Sequence, residues 1–199
     1  MAIKNLLPVL FAIVLWRPAA TAEATFNIST RNEAIPENGT VICTVLKTGE
    51  NEFTFLPPPQ WKPEVDRKTS SMAWTAPDYR SMIQLRLIAG ASNAVPALNP
   101  GELKNVLLSR HSQARILEEF PCHTAGLSGV AFDWDRPGEG GFVIRARSAF
   151  IPVAGGIAEL TLTTSSTQFE ARHMDLMRLL NSLRVANPVT PPGRPITRP

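Results

Sequence analysis

Short runs of alternating apolar and polar residues, interrupted by turn signals, fill most of this chain. TVICTVLK (Thr40–Lys47) and EFTFL (Glu52–Leu56) flank Thr48-Gly49-Glu50-Asn51 and predict a hairpin. SSMAWTA (Ser70–Ala76) and SMIQLRLIA (Ser81–Ala89) flank Pro77-Asp78-Tyr79-Arg80 and predict a second. In that last run Ile83, Leu85 and Leu87 point one way, Gln84 and Arg86 the other. The pattern then changes period. Asn99 is placed to cap a helix, with Pro100 in its first turn and Glu102 three residues after the cap. Leu103, Leu107, Ala114 and Leu117 carry that helix to about Glu119, and Pro121 ends it. Three more strands follow: Leu127–Asp135, Gly141–Phe150 and Gly156–Thr164. Thr167 and Glu170 predict a capping box for a closing helix whose stripe is Phe169, Leu176, Met177, Leu180 and Leu183. The fold class expected from this order is α+β: a largely antiparallel sheet with two main helices packed on it.

The two ends depart from this pattern. Lys4 precedes an unbroken apolar run, Leu6–Trp16, and Ala20-Thr21-Ala22 offers a small-x-small site, so residues 1–22 read as a signal peptide cleaved after Ala22. Eleven residues would reach only about 17 Å as a helix, short of a bilayer core, so no membrane span is expected after cleavage. The expected location is secreted or periplasmic. Residues 23–39 are polar and irregular in pattern, with glycosylation sequons in form at Asn27 and Asn38. Residues 40–185 form the expected domain, and the proline-rich residues 186–199 are expected to be an extended tail.

Composition changes little in this picture. The formal charge is +3 from 20 basic and 17 acidic residues. Lys4, Arg17, Arg194 and Arg198 lie at the ends, so the body is close to −1 and shows no bias toward nucleic acid. Export alters the reading of the two cysteines. A Cys43–Cys122 disulfide would close a loop of about 80 residues and stabilise by roughly 4 kcal/mol. Two buried free thiols, or a reactive Cys122 beside His123, are the alternatives.

The charged constellation is FDWDRPGEGGFVIRAR. Asp133 and Asp135 share one strand face, Arg145 and Arg147 share a face of the returning strand, and an even-sum register sets Asp133 opposite Arg147 and Asp135 opposite Arg145. Arg86 and Glu159 would join that surface from neighbouring strands. It reads either as a binding surface for a protein partner or as a solvated face laced with ion pairs. His111 and His173 fall beside helical stripes and suit half-buried structural roles. No motif calls for a metal or cofactor. In FTFLPPPQW, Phe53 and Phe55 are expected in the core, Pro57–Pro59 end the strand, and Trp61 packs over a sheet end or walls a pocket with Cys122 and His123 nearby.

Over about residues 50–185 the chain resembles the PsbP-like superfamily, which includes the extrinsic photosystem subunit, DcrB-type bacterial proteins and the Mog-type Ran-release factor. The resemblance rests on FTFLPPPQW, on SMIQLRLIAG before the capped helix, and on GGIAELTLTTSSTQFEARHMDLMRLLNSLRV at the end. Thr40–Lys47, with Cys43, looks like an N-terminal addition. The resemblance implies an α/β/α sandwich and an exported, non-catalytic accessory or binding protein acting on a protein complex at the cell envelope. A small-molecule binder or cryptic hydrolase at Trp61, Cys122 and His123 is the alternative.

Overall fold

In a computed structural model the chain is described over residues 26–35, 39–48, 51–66, 68–69, 71–90, 95–124 and 126–186. The expected signal peptide and most of the proline-rich tail lie outside the described residues. The described chain is α+β, with two antiparallel sheets and two helices.

One sheet has four strands, β1 (Phe26–Ile35), β2 (Gly39–Thr48), β3 (Asn51–Phe55) and β11 (Arg184–Ala186), in that spatial order. The other has seven. Its chain order is β4 (Lys62–Asp66), β5 (Ser71–Thr75), β6 (Met82–Ala89), β7 (Arg115–Thr124), β8 (Leu127–Pro137), β9 (Val143–Val153) and β10 (Gly156–Ser165), and its spatial order is β4-β5-β6-β10-β9-β8-β7. Helix α1 (Pro100–Arg110) carries the chain from β6 to the far edge, and the β7–β10 meander returns to pair with β6. Helix α2 (Phe169–Ser182) leads from β10 back to the small sheet.

Strand alternation gives the large sheet two different faces. On one, Met72, Trp74, Ile83, Leu85, Ala149, Ile151, Ala158, Leu160 and Leu162 pack with Phe169, Leu176, Leu179 and Leu180 of α2 and with Leu46, Phe53 and Phe55 of the small sheet. On the other, Val130, Phe132, Trp134, Ala146 and Phe150 meet only Leu103 and Leu107 of α1 among helix residues that are fully buried.

Both predicted hairpins form, as β2–β3 and β5–β6. Asn99 caps α1: its Oδ1 accepts from the N–H groups of Gly101 (3.0 Å) and Glu102 (3.4 Å), with Pro100 in the first turn.

Four expectations are corrected. Helix α1 stops at Arg110, where the His111 N–H closes on the Leu107 carbonyl, and Leu117–Pro121 belong to β7. Pro121 is tolerated there because β7 is an edge strand and one of its sides needs no donor. Leu107 and Ala114 stand seven residues apart, two helical turns, so their spacing does not show where the helix ends. Phe120, Cys122 and Thr124 then alternate inward as a strand does. Residues 26–35, expected to be irregular, form β1, paired with β2 along its whole length. The Thr167–Glu170 capping box does not form: Gln168 is the cap residue without a side-chain bond, and Thr167 Oγ1 instead meets Ser165 Oγ at 3.1 Å. The fourth correction concerns the cysteines and is taken up with the site.

Candidate functional site

The charged hairpin has the register its alternation predicts, Asp133 opposite Arg147 and Asp135 opposite Arg145. What the residues do there is hold the sheet together. Asp133 is 2 % exposed, and Arg147 donates to both its oxygens, Nε at 2.6 Å and Nη2 at 2.8 Å. Such a fork-to-fork pair satisfies the carboxylate that burial would otherwise leave costly. The Arg147 guanidinium lies 4.7 Å from the Phe120 ring and 5.5 Å from that of Phe169, and Arg145 lies 4.8 Å over Phe169. The bond to Asp133 pushes the Arg147 pKa up. One ion pair therefore clamps edge strand β7, through Phe120, and the start of α2, through Phe169, onto the sheet.

The remaining members of the predicted surface go elsewhere. Asp135 is bound by Arg115, Nη2 to Oδ2 at 2.7 Å, rather than by Arg145, whose nearest acid is Asp133 at 3.9 Å. Arg86 and Glu159 are cross-strand partners on the opposite face, beside the α1 core, and Glu159 is paired by Arg110 from the last turn of α1. Next to them Trp134 Nε1 donates to Ser148 Oγ at 3.1 Å, and Ser148 meets Thr161 at 2.8 Å. His111 stacks on Trp134 with ring centroids 4.5 Å apart, and burial lowers its pKa, helped by Arg136.

Trp61, Cys122 and His123 do not converge on one pocket. Trp61 is buried in the core; a turn closed by its N–H to the Pro58 carbonyl (3.2 Å), with Gln60 at φ 66°, aims it there. The three prolines thus end β3 and swing a large aromatic under the sheet. Arg172 covers its ring at 5.8 Å. Cys122 faces the core and His123, its neighbour in the strand, faces outward, with Nδ1 3.3 Å from Ser128 Oγ. Burial pushes the Cys122 thiol up to about 11, and Gly129 packs so closely that a Cβ there would stand 2.9 Å from the sulfur.

The expected Cys43–Cys122 bridge is not formed; both are free and buried. They lie in different sheets with separate neighbours. Burial first and the neighbouring Glu33 carboxylate second raise the pKa of the Cys43 thiol. Glu33 is held low, by Arg31 first and by Cys43 second. An oxidising compartment permits a disulfide, but only proximity makes one.

Beside Cys43 opens a cleft of about 490 Å³, which the charge pattern did not reveal. Phe55, Leu56 and Pro57–Pro59 wall it, Glu33, Cys43 and Thr54 form its polar side, and Arg178, Asn181, Ser182 and Arg184 rim it from the end of α2 and the start of β11. Ser182 fixes the wall by accepting the Leu56 N–H at 2.9 Å. Arg31 bonds Glu33 (2.8 Å), Glu52 (3.0 Å) and Thr54 (3.2 Å), which orders the polar side. The sequence signals were the proline run and the spacing of Arg178 and Asn181, three apart on one face of the last turns of α2, with Arg184 just beyond the helix. A second cleft, about 450 Å³, lies between Leu98, Pro100, Phe120, Pro121 and Pro152. Neither is lined by Trp61, Cys122 or His123. Among the described residues no three His, Cys, Asp or Glu side chains gather as metal ligands, and no helix is long and apolar enough to cross a membrane.

No family model matches the chain, and no curated protein matches it. Two similar solved structures are a protein from Bacteroides thetaiotaomicron and PA94 from Pseudomonas aeruginosa, the latter described as a protein of unknown function and putative regulator. The first is 11% identical with a TM-score of 0.46, over 68% of this chain and 45% of that one. The second is 16% identical with a TM-score of 0.45, over 68% of this chain and 91% of that one.

Proposed function

We propose that this chain is an exported, non-catalytic binding domain of the PsbP-like kind, acting on a protein complex at the cell envelope, with the cleft beside Cys43 as its contact. Export rests on the sequence of residues 1–22. The observation that carries the site is the cleft itself: stiff proline and aromatic walls, an ordered polar side and two arginines, Arg178 and Arg184, at the rim. Arg184 has no ion-pair partner among the described residues, and Arg178 has only Asp175 at 3.7 Å. That rim suits an extended segment of a partner carrying a carboxylate. The large acid–base clusters elsewhere are consumed in ion pairs that hold the sheet, which favours binding over turnover.

The test is a photo-crosslinker at Asn181, on the rim, and in a second protein at Glu64, on the far edge strand. A discrete partner adduct from Asn181 alone, lost with Arg178→Glu plus Arg184→Glu, is the expected result. The same adduct from both positions, or one indifferent to the charge reversal, contradicts the proposal. A small-molecule ligand is the second reading, because about 490 Å³ falls within the range of small-ligand pockets. Under it, stabilisation of the fold by small organic anions would replace the protein adduct.

A further inference from the structure

Among the described residues, four of the eight exposed large apolar side chains, Tyr79, Met82, Phe142 and Val143, gather at one end of the molecule. That end is formed by the β5–β6 turn, the β8–β9 turn and the start of α2. Met82 pairs with Thr163, Thr163 with Ala146, and Ser165 with Ile144, so all three features share one end of the large sheet. The Ser166 N–H to the Val143 carbonyl (2.9 Å) and Arg172 to Asp78 (2.7 Å) tie them to each other. Phe142 is 71% exposed and Val143 44%, at the tip of one hairpin; Tyr79 is 68% exposed at the tip of the other. Gly140 and Gly141, at φ 67° and 81°, allow the turn that pushes Phe142 outward. Apolar groups placed in water at the tips of two neighbouring turns call for an occupant.

The charges around them name it. Arg136 and Arg145 stand half-buried at the base of the Phe142 hairpin, on opposite faces of it, with the Nε of each buried and without a partner, so that only their terminal nitrogens are available to a ligand. Arg136 has only the Pro137 carbonyl at 3.5 Å, and Arg145 only Asp133 at 3.9 Å. Arg80 lies in the other turn, and Lys62 bonds the Tyr79 hydroxyl and sits 5.0 Å from its ring. Glu139 and Glu170 are the opposing acids at this end, since Asp78 is taken by Arg172. This end is therefore net positive, while the body of the protein is close to −1. The tips project, and neither of the two clefts is lined by them, which suits a plane better than the matching pockets of a protein partner.

We propose that this end docks on an anionic phospholipid bilayer, with Phe142 and Val143 entering the interface and Arg80, Arg136 and Arg145 meeting headgroup phosphates. Aromatic tips and arginine collars are the chemistry such an interface retains. The docking would leave the cleft beside Cys43 free, because none of these residues lines it.

The test is co-sedimentation of the chain beginning at Glu23, which keeps every described residue, with vesicles of phosphatidylcholine alone or with 30% phosphatidylglycerol (roughly that fraction is a customary anionic load). The expected result is binding to the anionic vesicles only, abolished by Phe142→Ser plus Val143→Ser. Arg80→Ala plus Arg136→Ala should weaken it roughly thirtyfold. Ile42→Ser, which removes an exposed apolar residue in the small sheet, should leave it unchanged. Absence of binding by the unaltered chain, equal binding to both kinds of vesicle, or undiminished binding by the tip variant overturns the proposal.

Discussion

The two faces of the seven-stranded sheet are built from the same strands and are covered in different ways. One face meets α2 and the four-stranded sheet, and its core takes in Phe169, Leu176, Leu179 and Leu180 from the helix. The other meets α1, which contributes Leu103 and Leu107 as its buried residues and meets the polar row of Gln84, Arg86, Glu159 and Thr161 through Arg110, bound to Glu159. Their buried charges differ accordingly. Asp133 and Arg147, under α2, have side chains 3 % and 17% exposed, whereas Glu159 and Arg110, paired at the end of α1, are 7% and 27% exposed. The lesson is that a charge pair on a sheet is held from both partners where a second layer covers it, and keeps a buried acid but a more exposed arginine where the layer ends.

The largest expected effect breaks the clamp. Asp133→Ala leaves the Arg147 guanidinium buried without its acid and should cost about 3–5 kcal/mol in urea unfolding. Adding Arg147→Met to it should return most of that loss, because a packed apolar pair needs no counter-charge. A double variant no more stable than the single one would show that the arginine was never buried in the sense argued.

A smaller effect sharpens the outer face. His111 stacks on Trp134 with its pKa held below the ordinary 6.5 by burial, and Arg136, Glu159, Arg110 and Arg86 are the charges around it. The unfolded chain therefore binds the proton more readily than the folded one. The contribution to stability is complete above about pH 6.5 and is lost as pH falls from there through the folded value. Unfolding at pH 7.5 and pH 5 should show this decline, and His111→Gln should flatten it. The carboxylates held low, Glu33 and Asp78 among them, act only at more acid pH. The smallest effect is at Arg115, whose side chain is 75% exposed beside Asp135. Arg115→Ala should leave the unfolding midpoint unchanged within error.

Much of the frame was legible in local pattern. Asn99, Pro100 and Glu102 announce α1, the phenylalanines and prolines of FTFLPPP mark the end of β3, and the Asp/Arg alternation of β8 and β9 sets their register. Three features were not legible, each for a physical reason. Strand β1 is an edge strand whose inward residues include Ile28 but few other large apolar groups, so its pairing is written in backbone rather than side chains. Strand β7 carries a bulge between Ile116 and Glu118 that shifts its alternation, and Leu107, Ala114 and Leu117 fall by coincidence near helical spacing. The cleft joins Cys43, Pro57–Pro59 and Arg184, residues distant in the chain that only the packing of α2 on the small sheet brings together.

The central claim is that α2 belongs to the core while α1 is a shorter clip on the outer face. Native-state amide hydrogen exchange reads this directly. Amides of Leu176–Leu180 should exchange only through global unfolding, with the full denaturant dependence, whereas those of Leu103–Leu107 should exchange through a local opening of lower free energy and weak denaturant dependence. Equal protection of the two helices, or the reverse order, would contradict the account.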